Sequence, residues 1–80
     1  MPDRFNPMLL SRHARREAHR EGIPLGMIEA AYETPDVVRA SDHDDLREIR
    51  TRWFGEEWVE VVVDTGDDRV VTVWRKGTRQ

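Results

Sequence analysis

The stretch RTRWFGEEWVEVVVDTGDDRVVTVWR, residues 50–75, decides the fold. It holds all three tryptophans and every valine apart from the Val37-Val38 pair. Two valine-rich runs, Glu57 to Asp64 and Arg69 to Trp74, flank Thr65-Gly66-Asp67-Asp68. β-Branched and aromatic side chains suit a pleated surface, and Gly and Asp give a tight turn its backbone freedom, so the pattern predicts a hairpin. Upstream, Arg50 to Phe54 runs into Gly55-Glu56, a second tight turn. The stretch therefore predicts a three-stranded antiparallel meander.

Pairing across these turns sorts the side chains. With Gly55-Glu56 as the first turn, Trp53 opposes Trp58, Arg52 opposes Val59 and Arg50 opposes Val61. With residues 65–68 as the second, Val61 opposes Thr72 and Val59 opposes Trp74. One face then carries Arg50, Arg52, Val59, Val61, Val63, Val70, Thr72 and Trp74. The other carries Ile49, Thr51, Trp53, Trp58, Glu60, Val62, Val71, Val73 and Arg75. Both faces are mixed, and a one-residue slip at either turn would reverse a strand.

Working outward, Met1 to Pro7 reads as a lead-in and Met8-Leu9-Leu10 as a short first strand. Ser11 is a favourable N-cap for a helix over Arg12 to Glu21, which Gly22 ends; Asn6 as cap with Pro7 at the first helical position is the competing start. Ile23-Pro24 opens a second helix through Glu33, with Leu25, Ile28 and Tyr32 on one face and Met27 and Ala31 beside it. Pro35 stops it. Asp36 to Ala40 reads as a short extended segment, and residues 41–45 as a polar loop. The expected architecture is α+β: two N-terminal helices on an antiparallel sheet of three or four strands, one domain over residues 1–80 with its core at about 8–75.

Composition narrows the function classes. The 80 residues contain no cysteine, so there is no disulfide framework and no thiolate metal site. No segment has the apolar length of a membrane span or the pattern of a signal peptide, and a cytoplasmic protein is expected. Asp42-His43-Asp44-Asp45 has metal-ligand residue types, but contiguous loop residues rarely converge on one ion, so no metal or other cofactor is expected. The net charge of −3 argues against a general grip on nucleic acid, yet Ser11 to Arg20 carries Arg12, Arg15, Arg16 and Arg20 against Glu17 alone. Twelve of the thirteen basic residues are arginine, suited to bidentate phosphate contacts, although genomic composition explains the bias equally well.

The order Ser11-Arg12-His13-Ala14, Arg16, Arg20, Gly22-Ile23 and a short helix ending at Pro35 resembles the bacterial domain-of-unknown-function family 4258. So does the finish: an arginine-bearing strand, a VVV strand and Val70-Val71-Thr72-Val73. That family is similar to BrnT-type and RelE-type toxins, whose helices precede a small antiparallel sheet. The resemblance covers roughly Met8 to Arg75. It implies metal-independent cleavage or binding of RNA, with a cognate antitoxin as partner. His13-Ala14 takes the family's "HA" signature, Arg16 and Arg20 its helix arginines, Arg50 or Arg52 its strand arginine and Thr72 the polar member of its last strand. The chain departs from many toxin relatives in being net acidic and in carrying Trp74 where a tyrosine is common.

On that reading His13 is the general acid or base, since histidine titrates near neutrality. Arg16, Arg20, Arg50 and Arg52 hold the phosphate and Thr72 positions it. Each has a plainer role: His13 fixing the first helical turn, Arg16 and Arg20 in salt bridges to Glu17 or the 42–45 loop, Arg50 and Arg52 on an exposed face, Thr72 as a strand former. His19 reads as a surface residue. The tryptophans could stack on bases, but packing or an interface explains them too. The rival function is a non-catalytic interaction module, homodimeric through its Trp-bearing strands.

Overall fold

The computed structural model of the chain describes residues 9–42 and 46–77. It is an α+β arrangement: two N-terminal helices packed on one face of a four-stranded antiparallel sheet. Helix α1 spans Arg12–Glu21 and α2 Leu25–Glu33; the strands are β1 (Val37–Ala40), β2 (Arg47–Trp53), β3 (Glu57–Asp64) and β4 (Arg69–Gly77), in spatial order β1-β2-β3-β4. The expected Asn6-Pro7 helix start and most of the Asp42 to Asp45 loop lie outside the described residues.

Helix α1 begins where Ser11 predicts. The Ser11 hydroxyl accepts the Ala14 N–H at 3.0 Å and donates to the Val71 carbonyl at 3.2 Å, while the Ser11 N–H donates to the Val70 carbonyl at 2.8 Å. The cap thus satisfies an orphan helix donor and pins α1 to β4 in one residue. Leu10, directly before this contact, forms a single parallel bridge to Val70; Met8, where the expected first strand begins, lies outside the described residues. Gly22, at φ 68°, closes the helix in the left-handed conformation that a residue without Cβ adopts at little cost.

The hairpin turn at Gly55-Glu56 sets the β2–β3 register as read from the sequence, with Trp53 opposite Trp58, Arg52 opposite Val59 and Arg50 opposite Val61. Gly55 holds φ 93° at the first central position, which a type II′ turn asks glycine to fill. The β3–β4 register departs from expectation. Asp64 opposes Arg69 and Val63 opposes Val70, but a bulge at Val62/Val63 then shifts the pairing, so Val62 opposes Thr72, Val61 opposes Val73 and Val59 opposes Arg75. One extra residue on β4 reverses the faces beyond it. Val73 and Arg75 therefore turn toward the helices, while Thr72 and Trp74 turn away.

This bulge resolves the mixed faces. Val59, Val61, Val63, Val70 and Val73 are fully buried beneath the helices, each contributing about 1.5–3 kcal/mol by removal from water. Both helices meet the valines through an alanine, Ala14 and Ala31, whose methyl groups allow close approach. Ile28 packs beside Ala31, whereas Leu25, read on the same face of α2 as Ile28, is 43% exposed. Ile28→Ala should therefore lower unfolding free energy by about 2–5 kcal/mol in urea melts, and Leu25→Ala by under about 0.5 kcal/mol. Equal losses would show that α2 is seated differently.

Candidate functional site

Three arginines rise from the helix-covered face of the sheet, and all three reach helix C-termini. Arg50 Nη1 donates to the Tyr32 carbonyl at 2.7 Å, Nη2 donates to Glu48 Oε1 at 3.0 Å, and the guanidinium lies 4.8 Å from the centre of the Tyr32 ring. Arg52 Nη1 donates to the Thr34 carbonyl at 2.6 Å and to Thr34 Oγ1 at 2.8 Å. Its Nε is buried without a hydrogen-bond partner among the described residues. Arg75 Nη1 donates to the carbonyls of Glu21 at 2.7 Å and Gly22 at 3.1 Å. The rest of its guanidinium grips Glu57 through two bonds, at 2.6 and 2.7 Å, and this hydrogen bonding holds the Glu57 carboxyl below its ordinary range.

The physical reason lies at the ends of α2. Pro24 offers no side-chain cap, and the last turn carries no basic residue. Its terminal carbonyls and the negative end of its dipole are met by cations from the sheet. Arg50 and Arg52 are thus partly buried structural groups rather than residues of an exposed face. They stand on β2, whereas α1, which carries His13, packs on β4, with β3 between the two strands. Thr72 faces away from both helices, opposite Val62. The structure does not bring His13, the strand arginines and Thr72 into one cluster.

It does bring other cations together. The exposed residues of α1 are Arg12, His13, Arg15, Arg16, His19 and Arg20, every one arginine or histidine, while Glu17 and Glu21 are half-buried. Arg20 pairs with Glu17 and lies 3.9 Å from Glu21, the salt-bridge role read for it from the sequence. Arg12 and Arg16 make no ion pair among the described residues. At the start of the helix a cleft of about 360 Å³ is lined by Leu10, Ser11, Arg12, Arg15 and Arg69. Sequence reasoning missed Arg69, whose position beside the 65–68 turn gave no hint that β4 would bring it to α1. Arg75 was missed because the unrecognised bulge assigned it to the wrong face.

Comparison with protein-family models, with curated proteins and with solved structures finds no match to this chain. No group of metal-ligating side chains forms among the described residues, and no helix among them is long and apolar enough to cross a membrane.

Behind Arg50, the Tyr32 hydroxyl donates to Asp68 Oδ1. Asp68 ends the 65–68 turn at φ 53°, in the left-handed region, so the turn's unusual residue is this aspartate rather than Gly66. Burial first, then the hydrogen bond to Asp68 and its charge, push the Tyr32 hydroxyl up from 10.0 to about 12, with Arg50 pulling the other way. A raised value means the fold favours the neutral phenol, so this contribution to stability is complete below pH 10.0 and lost as pH rises through about 12. Tyr32 is the only tyrosine, so absorbance titration isolates it. Ionisation near 12 is expected, moving down in Asp68→Asn; ionisation near 10.0 in the folded wild type would contradict the contact.

Proposed function

We propose that this chain is a toxin-like RNA-binding domain that grips phosphates through α1 and the Arg69 cleft, in its non-cleaving form. The observation that carries the reading is the all-basic exposed face of α1 on a chain whose net charge is −3. Charge segregated in this way gives a local positive field that overall composition conceals. Guanidinium groups at helical spacing suit successive phosphates, and the first-turn N–H groups of α1 add to the attraction. The resemblance to the toxin-related family supports RNA as the polyanion.

Binding is preferred to cleavage because Arg50 and Arg52, the groups that would stabilise a reacting phosphate beside His13, are committed to the carbonyls of Tyr32 and Thr34. His13 remains exposed beside Arg12 and Arg16 and is placed here as a phosphate contact.

Anisotropy of labelled single-stranded RNA in EDTA tests this directly. Affinity should fall with salt, and replacing Arg12 and Arg16 with alanine should reduce the log–log slope by about 1.4, or about 0.7 per lost phosphate contact. The RNA should remain intact. Cleavage that His13→Ala abolishes would replace the binding reading with a catalytic one, and affinity indifferent to the α1 substitutions would reject this surface.

A further inference from the structure

The face of the sheet away from the helices carries Trp53, Trp58 and Trp74, and no described element covers it. Trp53 and Trp58 stand side by side with ring centres 5.1 Å apart, and Trp74, opposite Glu60, is 37% exposed. In the midst of these aromatics lies a carboxylate. Glu60 is only 5% exposed although its face is open. Thr51 Oγ1 donates to its Oε2 at 3.2 Å, and Arg39 Nη2 lies 3.6 Å from the same oxygen. Oε1 accepts no hydrogen bond among the described residues and is not sealed off. Glu60 lines a cleft of about 220 Å³ with Val37, Thr51, Trp58 and Lys76.

Oε1 is open to solvent and holds acceptor capacity that Thr51 and Arg39 leave unused, so the N–H or O–H groups of a ligand can take the place of water there. An ionised carboxylate accepts hydrogen bonds and donates none, so a fitting ligand presents N–H or O–H groups. A cationic ligand fits poorly, because Arg39 and Lys76 already set two positive charges beside the single negative charge of Glu60. A flat neutral ring fits well: it can lie against Trp58 while its edge meets Glu60. Open four-stranded sheets bearing aromatic side chains are surfaces on which RNA-binding domains stack bases.

We infer that this cleft receives a guanine base of single-stranded RNA, stacked on Trp58 and read by Glu60. This assignment rests on the RNA-binding reading above. Guanine alone among the four bases places a ring N–H beside an exocyclic amino group on its pairing edge, matching the two carboxylate oxygens. Its adjoining carbonyl oxygen calls for a donor, which Lys76 at the rim supplies. On that edge adenine sets one donor beside one acceptor, cytosine one donor beside two acceptors, and uracil one donor between two acceptors, so none offers two adjacent donors. Trp74 and Lys76 stand on β4, the strand over which α1 lies on the other face, so one RNA strand can pass round that edge from the phosphate grip to the cleft.

The test compares single-stranded RNAs that differ at one position, carrying guanine, adenine or inosine, which lacks the amino group. Tryptophan fluorescence with guanosine and adenosine monophosphates forms a second arm. The guanine RNA should bind about 5- to 150-fold more tightly than the adenine RNA, the discrimination expected of one bidentate pair, with inosine falling towards adenine. Glu60→Gln should collapse that ratio to about twofold or less, while Trp58→Ala should weaken every RNA without changing it. Alanine at Arg12 and Arg16 should weaken all the RNAs equally.

The inosine comparison needs no substitution in the protein, so it stands even if Glu60→Gln does not fold. RNA binding with no guanine preference would overturn the cleft and leave the α1 reading standing. Quenching by the guanine nucleotide alone, with no RNA bound, would keep the cleft and reject the RNA reading. A homodimer that Trp74→Glu dissolves would assign the face to a second copy and overturn the proposal.

Discussion

The fold depends on guanidinium groups that reach from the sheet to the C-termini of both helices. An α-helix leaves its last carbonyls without internal partners and carries partial negative charge there. Helices of nine and ten residues are too short to hold their shape in isolation, so their ends must be met by the rest of the molecule. Arg75 closes α1, and Arg50 and Arg52 close α2. A cation at a helix C-terminus contributes about 0.3–1 kcal/mol when exposed and up to about 2 kcal/mol when partly buried. Buried valines supply most of the driving force, but burial is non-directional. The arginines fix where the helices stop and how they lie across the strands.

This division of labour separates the cations into two sets. Those on the covered face of the sheet are bound to carbonyls or to Glu48 and Glu57, and little of their charge remains for a ligand. Those on the outer side of α1 face solvent. The bulge in β4 makes the separation possible, because it turns Arg75 inward towards Gly22 and leaves Trp74 outward beside Glu60. One backbone irregularity thereby furnishes both a helix clamp and an aromatic surface.

Much of the fold was legible in the sequence. Ser11, Gly22 and Pro35 marked the helix ends because capping and backbone restriction are local effects, and Gly55 set the β2–β3 register for the same reason. The β3–β4 register was not legible, since the 65–68 loop does not announce a bulge several residues away in β4. Nor was the seating of α2, where Ala31 displaced Leu25 from the sheet. The candidate site fared less well. Arg16 and Arg20 lie on α1 with exposed side chains, but Arg50 and Arg52 read as phosphate ligands or as residues of an exposed face. Their hydrogen bonds to the carbonyls of Tyr32 and Thr34, eighteen positions away in each case, exist only once the chain has folded.

Arg50, Arg52 and Arg75 on the strands close the helices, whereas the arginines of α1 are those proposed to hold RNA. The most direct measurement sets unfolding free energy beside RNA affinity for Arg52→Ala and Arg16→Ala. Arg52→Ala should lower stability by about 1–3 kcal/mol, the cost of a lost charged hydrogen bond, while the folded fraction keeps wild-type affinity. Arg16→Ala should do the reverse, leaving stability within about 0.5 kcal/mol and weakening RNA binding. An Arg52→Ala protein of unchanged stability that no longer bound RNA would place Arg52 at the ligand and not at the end of α2.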